Sequence, residues 1–306
     1  MSLAIISPGK NPNAWIKVIQ ELSSDLKIQV YPDISDPEEV EIAFVWQHPT
    51  GILSNFPNLK LISSMGAGVD HIVRDQSISP DIPIVRIVDD KLTWSMTNYV
   101  VMAVLNYHRQ IARYKSDQKQ KIWDMSSPEL DVTIGVMGVG ALGFDVIEKL
   151  RMMDFSVVGF GFSEKKNLDF PYYSKNQLEQ FLKSVNVLVC LLPLTRETEN
   201  ILNLDFFAKC NPGTYLINVA RGKHLVEEEL ITAFDKGYLS GAMLDVYREE
   251  PLPTDHPFWE EDRITMTPHI ASVTNPQAAA PQLIENIDRI HSNRSLLNLV
   301  DRTKGY

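Results

Sequence analysis

Three glycines carry the first chemical signal in this chain. In Thr133-Ile134-Gly135-Val136-Met137-Gly138-Val139-Gly140-Ala141-Leu142-Gly143 they stand at 138, 140 and 143, after an apolar run and ahead of a helical pattern. A GxGxxG string is weak alone; between a strand and a helix it becomes a dinucleotide-binding expectation. Gly138 permits the tight turn, Gly140 the close approach of a pyrophosphate, and Gly143 close packing of helix on strand. The helix start offers its N–H groups to the phosphates, which places Val139, Ala141 and Leu142 in the same loop. The alternative is a tight strand-to-helix turn that holds no ligand.

Roughly twenty residues after such a loop, an acid would hold the cofactor's ribose. That position falls on Phe160 or Gly161, and neither is acidic. Ser163, Lys165 and Lys166 follow and suit a 2′-phosphate, which favours NADP(H) and leaves NAD(H) possible. A solvated turn accounts for the two lysines equally well.

Three more segments group residue types that can bind and protonate a small anion. They are Asn218-Val219-Ala220-Arg221-Gly222, Leu244-Asp245-Val246-Tyr247-Arg248-Glu249-Glu250-Pro251, and Thr267-Pro268-His269. Singly, each has a plain explanation. His269 suits a satisfied loop histidine, Glu250 a turn residue, Arg221 an element terminus with a surface ion pair, and Asp245 a strand-end cap. Their joint occurrence, in order, is what points to a site. The histidines at 48, 71, 108, 224, 256 and 291 have no such company and read as structural. No metal-ligand spacing is present.

The elements that must position these residues alternate strand and helix. Apolar runs at 3–7, 28–31, 42–46 and 59–63 are bounded by Pro, Gly or Asn and read as strands. A long helix is expected over 98–113, then a polar, irregular arm over 114–129 with Trp123 in its middle. A second alternation follows, with strands at 133–137, 156–160, 187–191, 214–218 and 241–246, and a helix at 142–152. The last helix, over 275–294, opens on Pro276. This pattern predicts an α/β protein of two doubly wound parallel-sheet domains. Residues 1–97 with 274–306 form one, and 98–273 form a second inserted into it, with the active site in the cleft between them.

The 306 residues are 44% hydrophobic and 22% charged, which supports two cores better than one. A net charge of −10 argues against a nucleic-acid footprint. No apolar run is long enough to span a membrane, and residues 1–10 do not read as a signal peptide. Two cysteines make no disulfide framework, and Cys190 inside an apolar run reads as a buried, inert thiol, so a cytoplasmic location is expected.

With Gly66-Ala67-Gly68-Val69-Asp70, the ordered segments closely resemble the D-isomer-specific 2-hydroxyacid dehydrogenase family over nearly the whole chain. Trp46-Gln47-His48-Pro49, Gly241-Ala242-Met243-Leu244-Asp245, and Asp301-Arg302 through Gly305-Tyr306 are most similar to its glyoxylate/hydroxypyruvate reductase A branch. The resemblance implies a Rossmann cofactor domain inserted in a flavodoxin-like substrate domain. It implies reduction of a small 2-keto acid, with His269 as general acid, Glu250 supporting it and Arg221 binding the substrate. A carboxylate beside an imidazole favours the imidazolium form, which keeps a proton ready.

It further implies that Ala67 and Gly68 give backbone contacts to the substrate carboxylate and that Trp46 lies near the substrate; a core aromatic is the other reading of Trp46. Asp245 would bond the nicotinamide carboxamide, and Leu192, Pro193, Thr198, Val219 and Ala220 would line the cofactor. Phe162 stands where the branch is expected to carry an arginine. A homodimer is implied, with Trp123 reaching the partner. Two other activities fit the motifs: a dehydrogenase of the same family for another D-2-hydroxy acid, and a dinucleotide-sensing binding protein like the family's corepressors.

Overall fold

The computed structural model describes residues 2–305; Met1 and Tyr306, which enter the domain expectation and the C-terminal resemblance, lie outside the described residues. The chain divides into two compact units, Met1–Leu92 with Val273–Tyr306, and Thr93–Ser272.

The first unit is built on five parallel strands: β1 (Ser2–Ile6), β2 (Lys27–Val30), β3 (Val40–Val45), β4 (Leu61–Ser64) and β5 (Ile84–Val85). Their order is β2-β1-β3-β4-β5, the flavodoxin-like arrangement. Alternation along β1 sends Leu3 and Ile5 to one face and Ala4 and Ile6 to the other. Both faces are covered, so β1 reads as an unbroken apolar run. The helices Asn13–Leu22 and Pro276–His291 cover the first face through Trp15, Ile19, Ala279, Ala280, Leu283 and Ile287. The second of these helices is started by Asn275, whose side chain accepts from the N–H groups of Gln277 and Ala278, with Pro276 behind it.

The second unit carries seven parallel strands: β6 (Thr133–Met137), β7 (Ser156–Phe160), β8 (Tyr172–Tyr173), β9 (Val187–Cys190), β10 (Thr214–Asn218), β11 (Leu239–Leu244) and β12 (Ile264–Met266). Their order, β12-β11-β10-β9-β6-β7-β8, is the Rossmann order extended by one edge strand, with the switch point between β6 and β9. Gly135 on β6 has no side chain because a Cβ there would lie 2.7 Å from the Phe181 ring. The buried Cys190 thiol is pushed up to about 12 by burial, which keeps it an unreactive thiol.

The structure departs from the sequence expectation in the stretch joining the units. The helix expected over 98–113 runs Asp90–His108, and the division between units falls inside it, at Leu92 and Thr93. Its start is fixed by Asp89, whose carboxylate accepts from the Leu92 N–H at 2.9 Å. Its end is fixed by Gln110, which is left-handed at φ 55. Half of the expected irregular arm is helix too, Ile111–Gln120. That helix buries no side chain, so it has no apolar stripe for a periodicity reading to find. The short edge strands β5, β8 and β12 are likewise too brief to show a pattern. Among the described residues no helix is long and apolar enough to cross a membrane, and no cluster of three or more His, Cys, Asp or Glu side chains could hold a metal ion.

Candidate active site

The carboxyl ends of the second unit's strands gather most of the predicted residues. At the end of β6, Gly138 adopts φ +102 and passes so close to the next strand's exit that a Cβ would lie 2.5 Å from the Leu191 carbonyl oxygen. Gly143 is as constrained, since its Cβ would lie 2.0 Å from the Gly138 carbonyl oxygen, and this fixes the helix Ala141–Met152 against the turn. Gly140 differs: nothing lies within 4 Å of its Cβ position, and it caps that helix without a side-chain hydrogen bond. Two glycines are therefore required by packing and one leaves an open approach to a helix start. That combination fits a pyrophosphate.

Beyond β7 the chain runs through Gly161 and Phe162 into Ser163, Glu164, Lys165 and Lys166, all four exposed. Tyr172 pins the start of this loop, donating its hydroxyl to the Ser163 carbonyl at 2.6 Å. Lys165 and Lys166 have no ion-pair partner among the described residues. Phe162 packs edge-on against Phe160, and Lys175 lies 5.7 Å from its ring centroid while pairing with Glu197 at 3.1 Å. No carboxylate occupies the end of β7, where a ribose-binding acid would sit.

Arg221, Glu250 and His269 come together in this unit. His269 Nδ1 lies 2.7 Å from Glu250 Oε2, and both side chains are about a quarter exposed. A carboxylate only accepts, so Nδ1 carries the proton and Nε2 is the ring nitrogen turned away from Glu250. Glu250 Oε1 accepts from the Tyr247 N–H at 3.0 Å. Burial drives the Glu250 carboxyl up. The hydrogen bonds from His269 and Tyr247, with the charges of His269 and Arg221, outweigh it and hold Glu250 below its ordinary value. Arg221 is placed by Gly222, whose Cβ would fall 1.8 Å from the Tyr247 carbonyl carbon, so the Arg-Gly pair abuts the segment that leads to Glu250.

His269 is left-handed at φ 55, a conformation that costs on the order of 1–3 kcal/mol in a non-glycine residue. Asp245 holds it there. The carboxylate is buried and accepts from Thr267 Oγ1 at 2.6 Å, Ile270 N at 2.8 Å and Ala271 N at 2.8 Å, while its carbonyl accepts from His269 N at 2.8 Å. Around it, the Tyr99 hydroxyl meets Thr267 Oγ1 at 2.5 Å, and the Tyr247 hydroxyl donates to Leu244 O and Thr267 O. Sequence reasoning gave Asp245 a cofactor contact and missed this holding role, along with Tyr99, Thr267 and Tyr247. Thr267, two residues before His269, was the available signal.

Leu192, Thr198, Val219 and Ala220 are buried and Pro193 is half-buried. The Thr198 hydroxyl is spent inside its own loop, donating to the Pro193 carbonyl at 2.6 Å and accepting from Thr195 N at 2.8 Å. His224 is fully buried between the carbonyls of Arg221 and Pro193, at 3.1 and 3.3 Å, and so ties the Arg221 turn to the 193–198 loop.

Trp46, Ala67 and Gly68 belong to the first unit. The N–H groups of Ala67 and Gly68 have no protein acceptor among the described residues, and both residues are half-buried. The turn is shaped by Ser64, whose hydroxyl donates to the Gly68 carbonyl at 2.7 Å. Trp46 packs on this turn, since a Cβ at Gly66 would lie 3.0 Å from its Cζ3. Trp123 is 91% exposed in the arm, where it lines a surface depression with Tyr114, Ile122 and Met125.

Residues 101–271 match the D-isomer specific 2-hydroxyacid dehydrogenase, NAD binding domain family. The whole chain is 38% identical to all of glyoxylate/hydroxypyruvate reductase A of Photorhabdus laumondii and 35% identical to all of its counterpart in Yersinia enterocolitica. Its fold is similar to a D-isomer specific 2-hydroxyacid dehydrogenase from Xanthobacter autotrophicus Py2 solved with NADPH and MES, with TM-score 0.93, 34% identity, and 100% and 99% of the two chains covered. It is similar to the same extent of coverage to an NADPH-dependent glyoxylate/hydroxypyruvate reductase from Sinorhizobium meliloti solved with NADP and sulfate, with TM-score 0.92 and 33% identity.

Proposed function

The chain belongs to the D-isomer-specific 2-hydroxyacid dehydrogenase family, and from that premise we propose that it reduces glyoxylate or hydroxypyruvate with NADPH. The observation that carries this reading is the 2.7 Å His269–Glu250 contact, set at the carboxyl edge of a Rossmann-ordered sheet whose glycine loop suits a dinucleotide. The bound nicotinamide supplies the hydride that the substrate's C2 receives; everything else falls to this chain's own residues.

His269 gives the proton from Nε2 to the keto oxygen. Glu250 fixes the tautomer and orientation of the imidazole and stabilises the imidazolium before the proton leaves. Arg221 binds the substrate carboxylate with its planar fork and polarises the keto oxygen, a task for which lysine is less suited. The unaccepted N–H groups of Ala67 and Gly68 supply a second carboxylate contact. Asp245 bonds the nicotinamide carboxamide as well as holding the His269 turn. Leu192, Pro193, Thr198, Val219 and Ala220 line the cofactor, and Ser163, Lys165 and Lys166 take its 2′-phosphate. The unit Thr93–Ser272 thus carries the cofactor loop together with Arg221, Glu250 and His269, and the other unit carries the Ala67 and Gly68 contacts.

The same reading makes the enzyme a cytoplasmic homodimer. The exposed Trp94, Met102, Ile111, Ile122, Trp123 and Met125 all fall between residues 94 and 125, and a second copy would cover such side chains. The test is oxidation of NADPH and of NADH, each with glyoxylate, hydroxypyruvate and pyruvate. Turnover of the first two acids, mainly with NADPH, is the expected result. An NADH preference would discard the 2′-phosphate site and keep the chemistry. No oxidation with any acid would overturn the reading.

A further inference from the structure

We infer that Lys10 is a specificity residue, selecting 2-keto acids that carry a second anionic group. In the first sheet the strand order reverses between β1 and β3, and open α/β sheets bind their ligands outside the carboxyl ends of the strands at such a switch point. Lys10 lies in the turn that follows β1, and Trp46 is the first residue past β3. The turn is tight: Gly9 adopts φ +75 and the Lys10 N–H donates to the Ser7 carbonyl at 3.1 Å. Its exposed side chain places Nζ 4.3 Å from the centroid of the Trp46 ring, a cation–π contact.

The indole is fixed from two further directions. His71 packs at a ring-centroid distance of 5.3 Å, and the Gly66 backbone meets the six-membered ring edge. Gly66 leads directly into Ala67 and Gly68, with their two unaccepted N–H groups. One aromatic side chain therefore joins an ammonium to an anion-binding turn. Nothing in the roles assigned above uses that ammonium.

The inference rests on the reductase reading, in which the 66–68 turn takes up the substrate's own carboxylate. A second carboxylate on C3 then needs a cation of its own, and an ammonium docked on an indole face is held in place to provide one. A substrate without that group, such as glyoxylate, gains nothing from it. The class selected is a short 2-keto dicarboxylic acid.

The experiment compares kcat/KM for oxaloacetate and glyoxylate, with NADPH, in the wild type and in Lys10→Met and Lys10→Arg. Lys10→Met keeps the length of the stem and removes the charge. The oxaloacetate-to-glyoxylate ratio is expected to fall about tenfold, the effect of one charge-assisted contact. Lys10→Arg is expected to retain most of the ratio. A ratio that does not move in Lys10→Met overturns the inference, and so does an equal loss on both substrates, which a packing role for Lys10 would produce. If the wild type turned over neither acid, the reductase reading would be the one that failed. Calorimetric binding of D-malate against glycolate, with NADP⁺ present, then decides: a D-malate preference lost in Lys10→Met supports the assignment, and no preference overturns it.

Discussion

The turn that carries His269 and the loop that follows β7 stand at the carboxyl ends of one sheet, yet they are held in opposite ways. Around His269 the buried Asp245 carboxylate takes three hydrogen bonds, and two tyrosine hydroxyls close the surroundings. Past β7, Ser163, Lys165 and Lys166 are exposed, and a single tyrosine contact pins the loop's start. Proton transfer tolerates little displacement, so the role proposed for His269 needs a donor over-determined by buried polar bonds. Holding a phosphate needs charge more than fixed geometry, and an exposed loop suffices. The contrast predicts that substitutions at the first place damage rate and stability together, whereas those at the second change only which cofactor is preferred.

The largest effect is expected at His269 itself. His269→Ala should lower kcat by roughly 10²–10⁴, the usual contribution of a general acid, while NADPH affinity changes little. Steady-state kinetics with a fluorescence titration of NADPH checks both halves; unchanged turnover would remove His269 from the mechanism.

Asp245→Ala tests the holding role. It leaves Thr267 Oγ1, Ile270 N and Ala271 N without their acceptor in a buried place, at about 1–3 kcal/mol for such a group before water relieves part of it. A loss of stability on the order of 3 kcal/mol is expected in urea unfolding, together with a fall in kcat, since nothing would then hold the left-handed His269. Lost activity at full stability would reduce Asp245 to a cofactor contact and erase the contrast between the two regions.

At the loop, the double variant Lys165→Ala, Lys166→Ala should weaken NADPH binding about tenfold and leave NADH binding nearly as it is, because only the 2′-phosphate distinguishes the two. The NADPH effect should shrink at high salt. Equal losses for both cofactors would mean that the lysines shape the loop and do not read the phosphate.

The same contrast governs what was legible in the sequence. The glycine loop was visible because backbone geometry restricts residue type there, whereas Arg221, Glu250 and His269 stood out as candidates through the family resemblance of their ordered segments. Gly138 and Gly143 leave no room for a Cβ, and a carboxylate-bound imidazole admits few substitutes. The parallel strands were visible where burial on both faces makes apolar runs, as in β1 and β6. Invisible were contacts that join distant segments through common residue types. Tyr99 with Thr267, Asp245 with Ala271, and Lys10 with Trp46 leave no periodic trace. The Ile111–Gln120 helix escaped for the complementary reason: with no buried face, its sequence has no stripe.

The smallest expected effect concerns pH and refines the first region alone. Glu250 is held below its ordinary value of 4.5 in the fold, so the folded state binds this proton less readily than the unfolded chain does. Its stabilising contribution is therefore fully present above the unfolded value and is lost as pH falls through the lower folded value. Glu250→Gln cannot titrate. The stability difference between wild type and variant, measured by urea unfolding, should thus shrink as the solution is taken below about pH 4.5. A difference that stayed constant to low pH would mean that His269 and the Tyr247 N–H bind the neutral acid as well as the carboxylate. The pair would then be held together by packing of the turn, and the charge that the proposed proton transfer depends on would not be what fixes Glu250 in place.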